Sequence, residues 1–190
     1  MTKFFKPFVL FACIVGSLLG SPITTTYRPS DGQGDTDDVW DLDHYKYFTW
    51  GIKNVSIPIG RFITAAMLTF ESINNWTAAE NSDPLQKLNV WLLDNAKSVF
   101  HEASGPLGKL KMFSDTDGGT DYFLTSWTFG SKVEIGEYHD SNGGSSGDVL
   151  NVSFNLGSLG LLDELRAYLA NGNNFALGFD PDCHYWNTGV

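Results

Sequence analysis

The chain has 190 residues, a formal net charge of −10, two cysteines and an aromatic content of 14%. This length is sufficient for one domain with a sizeable hydrophobic core. The excess of acidic residues argues against binding to nucleic acid or anionic lipid, because both carry negative charge themselves. It suits divalent cations and uncharged partners such as glycans, and it also serves the solubility of a secreted protein.

The first twenty residues have the features of a secretory signal peptide. Two lysines precede an apolar stretch over 7–20, which is followed by the small residue Ser21. The stretch is shorter than the about 20 apolar residues that a transmembrane helix typically needs. We therefore predict export with residues 1–20 as the signal peptide. Their removal would change the net charge from −10 to −12 and leave Cys183 as the only cysteine, so that the core must hold the domain without an internal disulfide.

A polar segment separates the predicted signal peptide from the domain. Residues 21–38 are rich in Thr, Pro, Gly and Asp, which predicts a flexible acidic linker. A single domain is predicted over 39–190. Its last residues, 188–190, have the composition of a turn that leads into another strand. We therefore expect that the sequence is truncated at its C-terminus and lacks at least one strand and a membrane anchor.

The domain contains many short segments with apolar alternation of period two, which is typical of β-strands. In the clearest one, over 61–74, Ala66, Leu68 and Phe70 share one face. In chain order, strands are predicted over 40–57 (one or two), 61–74, 88–94, 109–113, 122–129, 132–138, 149–156, 175–179 and from 185 onward.

One amphipathic helix is predicted over 158–171. Ser158 has the residue type of an N-cap, and Gly172 is suited to end the helix. Leucines recur at helical spacing and form one apolar stripe: Leu159, Leu162, Leu165 and Leu169. Many short strands with glycine-rich turns and one helix predict a mainly β protein, specifically an antiparallel, jelly-roll-like β-sandwich.

Two stretches at opposite ends of the domain carry potential metal ligands. Residues 180–184 (Asp-Pro-Asp-Cys-His) follow an apolar strand, and residues 41–44 read Asp-Leu-Asp-His. Aspartate oxygens suit calcium, whereas the cysteine and histidine suit zinc. The alternative is a capped turn in which Asp180 and Asp182 accept backbone N–H bonds and Cys183 is buried.

The first and last strands of a jelly roll are commonly neighbours, so we predict that these two stretches lie close together. Like charges at that distance need a cation or a proton between them. The candidate calcium ligands are Asp41, Asp43, Asp180 and Asp182, with His44 and His184 as secondary candidates. A solvated acidic run is the alternative for the first stretch.

A third acidic stretch, over 115–121, has the spacing of the first half of a calcium loop. Asp115, Asp117 and Asp121 are its oxygen ligands by this interpretation. Ser126 stands at the twelfth position, where an EF-hand has a bidentate acid. A glycine-rich turn capped by aspartate explains the stretch equally well.

Short catalytic motifs are missing from the sequence, which has no G-x-S-x-G, no P-loop and no H-E-x-x-H. We therefore predict a non-catalytic protein. The alternative is a polysaccharide-active hydrolase that uses carboxylates near 41–43 and 180–182. Most of the six tryptophans are expected in the core, whereas Trp76 lies in a polar loop and is the candidate exposed platform for a sugar ring.

Five motifs extend over nearly all of 40–190. They are WDLDH at 40–44, YFTWGI at 47–52, the segment 66–76, WLLD at 91–94, and FDPDCHY at 179–185 with Asn187 and Gly189. Together they resemble a group of uncharacterised secreted bacterial proteins, many of which end in a PEP-CTERM (exosortase) sorting segment. The resemblance implies a β-sandwich linked with the cell surface or exopolysaccharide, and it assigns no functional residues. The chain ends before the sorting segment of that group, in line with the predicted truncation.

These observations predict a secreted or cell-surface bacterial protein that binds polysaccharide or a cell-surface glycan and is stabilised by calcium. Two alternatives stay open at this point. One is the hydrolase described above, and the other is a purely structural surface protein without a ligand. A deep cleft with two carboxylates would favour the hydrolase, whereas a flat face would favour binding.

Overall fold

The computed structural model describes residues 9–17, 20–29, 41–42, 44–75, 87–95, 110–115, 121–140, 150–172, 174–182 and 185–187. These residues include eleven strands and two helices. The strands are β1 (Val9–Ser17), β2 (Gly20–Tyr27), β3 (Asp41–Leu42), β4 (Lys46–Ile52), β5 (Phe62–Asn75), β6 (Leu88–Leu93), β7 (Leu110–Ser114), β8 (Lys132–Tyr138), β9 (Leu150–Asn155), β10 (Phe175–Pro181) and β11 (Tyr185–Asn187). The helices are α1 (Tyr122–Thr125) and α2 (Leu162–Ala170).

The strands form two antiparallel sheets, which confirms the predicted mainly β sandwich. In the first sheet, hydrogen-bonded neighbours follow β2-β1-β5-β11-β3, and β9 also pairs with β5. The second sheet has the order β7-β4-β10-β6-β8. The long strand β5 therefore organises the first sheet, and β10 lies at the centre of the second.

Apolar side chains from both sheets fill the space between them. Alternate residues of β10, such as Leu177 and Phe179, point inward and are fully buried, as are Leu68 and Phe70 of β5. Helix α2 adds its apolar side to this core through Leu165, Tyr168 and Leu169. Burial of such side chains is the main stabilising contribution to a fold of this size.

A second, smaller apolar cluster lies on the outer side of the second sheet, which we call the covered face. Its members come from β4, β6, β10 and the segment around α1: Tyr47, Trp91, Leu93, Phe123, Trp127 and Ala176. Gly178 makes this cover possible. A Cβ at Gly178 would lie 2.6 Å from Cζ of Phe123, so the ring occupies the space above the bare backbone.

The segment 122–129 was predicted as a strand, and this prediction is wrong, since the segment begins with helix α1. The Asp121 side chain accepts hydrogen bonds from the backbone N–H groups of Phe123 and Leu124. This N-cap directs the chain into a helical turn despite its aromatic content. The turn places both Phe123 and Trp127 against the covered face.

Helix α2 is confirmed, but it begins at Leu162 rather than near Ser158. The Asn155 side chain accepts hydrogen bonds from the N–H groups of Gly157 and Ser158, at 2.9 and 3.2 Å. These bonds build a turn before the helix, and they leave Leu159 largely exposed instead of on the apolar stripe. All other predicted strands are present, with shifts at their ends.

The N-terminal region differs from the prediction of a flexible linker over 21–38. Residues 20–27 form β2, because Ile23, the threonines 24–26 and Tyr27 favour extended structure and pair with β1. The rest of the predicted linker beyond position 29 lies outside the described residues. Residues 9–17 of the predicted signal peptide form β1, between β2 and β5. Removal of this segment during export stays a prediction.

Neither helix in the described part of the chain has the length and apolar character needed to cross a bilayer.

Candidate functional site

Asp180 is the centre of a polar cluster at the edge of the covered face. It lies in β10 between the inward residues Phe179 and Pro181, so its side chain points to the same side as Gly178. The segment around α1 lies over it, and Asp180 is only 1% exposed. The backbone N–H of Tyr122 donates a hydrogen bond to its carboxylate. A buried carboxylate at this position ties the α1 segment to the sheet.

Asp121 joins Asp180 from the α1 segment. One of its oxygens caps the helix, and the other accepts a hydrogen bond from the indole N–H of Trp91 at 3.0 Å. The negative charge of Asp121 also repels that of Asp180 and so contributes to the raised pKa of Asp180. Two carboxyl groups that repel each other favour a proton on one of them.

Asp182 follows β10 and is held by the neighbouring strand β6. The Asn89 amide nitrogen lies 3.4 Å from Oδ2 of Asp182 and 3.3 Å from the carbonyl oxygen of Asp180. The N–H of Asp182 donates to the carbonyl of Lys87 at 2.7 Å. The Lys87 side chain forms an ion pair with Glu137. Asn89 and Lys87 therefore fix the end of β10.

The pKa values of these carboxyl groups reflect burial and mutual repulsion. Burial raises the pKa of Asp180 to about 8, and repulsion from Asp121, Asp115 and Asp182 adds to this against the Tyr122 hydrogen bond. Burial also raises the pKa of Asp182 to about 6, partly offset by its bond to Asn89. The pKa of Asp121 is raised by burial as well. At neutral pH Asp180 is therefore mainly protonated.

The structure brings two of the three predicted acidic stretches together. Asp115, at the end of β7, and Asp121 both interact electrostatically with Asp180 and Asp182. The N–H of Asp115 donates to the carbonyl of Tyr45 at 2.8 Å, which fixes the start of the stretch. Asp117 lies outside the described residues.

The stretch 41–44 begins beside the residues that follow the C-terminal stretch 180–184. In the first sheet, β3 pairs with β11, with Leu42 opposite Tyr185 and Asp41 opposite Trp186. Asp41 therefore belongs to the first sheet, whereas Asp180 belongs to the second. The ring of His44 lies 4.1 Å from that of Tyr45. Asp43, Trp76, Cys183 and His184 lie outside the described residues.

The carboxyl groups of the cluster have protein partners. Among the residues that the structure describes, no three His, Cys, Asp or Glu side chains are grouped so that they could hold a metal ion. Backbone N–H groups, an indole and an amide bond to the oxygens that a calcium ion would need. Asp180 accepts a backbone N–H bond, as the capped-turn alternative predicted, whereas Asp182 accepts from the Asn89 side chain. Calcium binding stays a prediction.

The partners of the carboxyl groups were not predicted. Asn89 and Trp91 alternate with the inward residues of β6, and all six residues of this strand are buried. A polar amide in a wholly buried strand is a sequence signal for a polar partner, because an unpaired buried amide is costly. Tyr122 gave no signal, since it contributes its backbone N–H.

The outer side of the first sheet, which we call the open face, has a different character. Its middle is formed by Met67 and Thr69 of β5 and by Ser153 and Asn155 of β9, which stand opposite each other. The hydroxyl groups of Thr69 and Ser153 lie 3.0 Å apart. Ser153 and Asn155 are exposed, and Met67 is 41% exposed. These four side chains are uncharged in an acidic protein.

Comparisons of the chain with protein family models, with curated proteins and with solved structures give no match. The resemblance to the secreted PEP-CTERM group therefore stays a prediction. The chemistry of the two outer faces is the basis for a functional proposal.

Proposed function

We propose that the protein is a secreted, non-catalytic protein of the bacterial cell surface or matrix that binds a neutral glycan on the open face. The observation that carries this proposal is the row of uncharged hydroxyl, amide and thioether side chains across β5 and β9. It stands in a chain with a net charge of −10. An uncharged polymer meets no repulsion there, whereas an acidic polymer does.

The side chains of the open face match the groups of a sugar ring. Hydroxyl and amide groups both donate and accept hydrogen bonds, as sugar hydroxyls do. The thioether of Met67 offers polarizable apolar surface to the C–H groups of the ring. Two adjacent antiparallel strands present these groups on a broad surface rather than in a cleft, which suits an extended polymer.

The proposal is tested by affinity electrophoresis in gels that contain neutral polysaccharides, after a glycan array has identified a bound glycan. Thr69→Glu and Ser153→Glu each place a charge on the open face, and we expect either change to weaken binding at least about tenfold, the equivalent of 1.4 kcal/mol. Thr128→Glu is the matched control, because Thr128 is exposed and follows α1, on the side of the second sheet. Unchanged binding by both variants, or no neutral glycan bound on the array, would contradict the proposal.

A polysaccharide hydrolase is the second candidate, favoured by the raised pKa values of Asp180 and Asp182. Carboxyl groups with such pKa values are typical of catalytic acids. Against this, the α1 segment covers Asp180. A cavity of about 350 Å³ lies elsewhere, and none of its lining residues is a carboxylate: Asn54, Val55, Ser56, Ile57 and Gly172.

Release of reducing ends from the bound glycan separates the two candidates. A binding protein releases none at any pH. Release that is abolished by Asp182→Asn but kept by Asp163→Asn, on the exposed side of α2, would establish the hydrolase instead.

A further inference from the structure

Strand β1 lies within the predicted signal peptide, and it is also an interior strand of the first sheet. It pairs with β5 from Val9 opposite Phe70 to Gly16 opposite Phe62, and β2 pairs with its other edge. Phe11 is 0% exposed, and its ring centroid lies 5.1 Å from that of Phe175 in the second sheet. Loss of β1 on export would therefore remove part of the core as well as the backbone partners of β5.

Strands β1 and β11 pair with successive parts of β5. On β5, residues 73–75 pair with β11 and residues 62–70 pair with β1. Strand β9 pairs with β5 at both Phe70 and Ile73, so it occupies the opposite edge at both places. Both β1 and β11 are antiparallel to β5, and they therefore run in the same direction along one edge. We call residues 62–70 of this edge the acceptor edge.

Strand β2 is poorly suited to take over the acceptor edge. It contains Pro22, which has no N–H group to donate and is typical of edge strands. Its residues 21–26 are all exposed, and the only large apolar side chain among them is Ile23. A strand that replaces β1 needs a large apolar residue at the position of Phe11, which stands between Leu68 and Tyr27 in the sheet.

We infer that the acceptor edge is a binding site for a strand donated by a second polypeptide, once export processing has removed β1. The donated strand is extended, runs in the direction of β11 and carries a large apolar side chain at the Phe11 position. An unpaired interior strand edge beside an open apolar cavity is unfavourable. Addition of a strand satisfies the backbone groups and fills the cavity at once. The inference depends on the predicted export cleavage and is independent of glycan binding.

The experiment uses the full chain with a specific protease site in place of residues 18–19, between β1 and β2. After cleavage under native conditions, the protein is mixed with an excess of a labelled peptide of the β1 sequence, Val9–Ser17, and separated by gel filtration. We expect the labelled peptide to co-elute with the protein. The matched control is the same peptide with Phe11→Asp, for which we expect at least tenfold weaker incorporation, since a charge would enter the core.

Each outcome decides the inference. Aggregation after cleavage that the β1 peptide prevents would support it, as would direct exchange of the peptide. A cleaved protein that loses β1 and stays folded without taking up the peptide would overturn it, and so would equal incorporation of the two peptides. Aggregation that the peptide does not prevent would overturn it too. N-terminal sequencing of the exported protein supports the inference if residues 9–17 are gone and overturns it if they are retained.

Discussion

The two outer faces of the sandwich differ in their exposure to solvent. The open face of the first sheet ends in uncharged side chains such as Thr69 and Ser153, which meet solvent directly. The covered face of the second sheet carries large aromatic side chains and lies beneath the α1 segment. The difference arises from the residues that alternate outward from each sheet.

The acidic residues follow the same division. On the covered face, Asp121 and Asp180 lie beside the α1 segment, and their oxygens accept hydrogen bonds from backbone N–H groups and from Trp91. The middle of the open face has no such enclosure. The carboxyl cluster that resembles a ligand site in the sequence therefore attaches the α1 segment to the second sheet. The open face, with its uncharged side chains, is the face accessible to a partner.

The largest expected effect concerns Phe123, which fills the covered face above Gly178. Phe123→Ala removes a fully buried ring, and we expect it to lower the free energy of unfolding by about 3–5 kcal/mol. The neighbouring residue Leu124 is 66% exposed, so Leu124→Ala is the matched control with an effect near zero. Chemical denaturation measures both. Similar effects of the two substitutions would show that the α1 segment does not cover the sheet as described.

The second-largest expected effect concerns Gly178, which lies against the Phe123 ring. Gly178→Ala adds one methyl group against the Phe123 ring, and we expect a loss of about 1–3 kcal/mol from this overpacking. Phe123→Leu in the same chain should relieve the contact, so the double variant should be more stable than the sum of the single effects predicts. Strict additivity of the two substitutions would contradict direct contact.

Stability should fall with rising pH because of Asp180. Its pKa in the folded protein, about 8, lies above its ordinary value of 3.8, so the folded state binds the proton more tightly. This contribution is complete below pH 4 and is lost as pH rises toward 8, with a slope of at most about 1.4 kcal/mol per pH unit. Asp182, with a pKa of about 6, adds to the loss between pH 4 and 6.

Asp180→Asn mimics the protonated side chain and should remove most of this dependence. We expect the variant to be more stable than the wild type at pH 9 and no more stable at pH 4, as measured by denaturant unfolding. Asp163→Asn, whose side chain is 91% exposed, is the control and should leave the pH profile unchanged. An effect of Asp180→Asn that is equal at both pH values would contradict the titration of Asp180 as the source of the pH dependence.

The smallest expected effect is that of a chelator. The cluster's oxygens have protein donors, so we expect EDTA to leave the melting temperature unchanged. A calcium ion present at 100 times its Kd would instead contribute about 2.7 kcal/mol of stability. A clear decrease of the melting temperature in EDTA, reversed by added calcium, would confirm the calcium binding predicted from the sequence.

The strands and the sandwich could be predicted because apolar alternation in segments such as 61–74 directly reflects a sheet with one buried side. Segment 122–129 could not, because its helical turn depends on one capping side chain, Asp121, and on the space above Gly178. A glycine that admits a ring from a distant segment leaves no periodic signal. Strand β2 was not predicted, because the polar composition of 21–38 favoured a linker. The preference of its threonines for extended structure was the weaker signal.

The carboxyl groups of the candidate site could be predicted from the sequence, but which of them lie together could not. Asp180, Asp182, Asp115 and Asp121 were all identified from their spacing, but the sequence favoured a partner for Asp180 near 41–44. The predicted proximity of the two ends of the domain is confirmed for β3 and β11, which pair with each other. The carboxyl groups themselves follow the strand register, which directs Asp180 outward toward the α1 segment. Such an orientation depends on the full sheet order and is not contained in local spacing.

The bare backbone at Gly178 also provides a spectroscopic reporter. Its α-protons lie against the Phe123 ring, whose circulating electrons displace their NMR resonances from the usual glycine region. Any condition that lifts the α1 segment would return those resonances to that region. The protein therefore carries a built-in signal for the state of its covered face, which can be read without a label or a substitution.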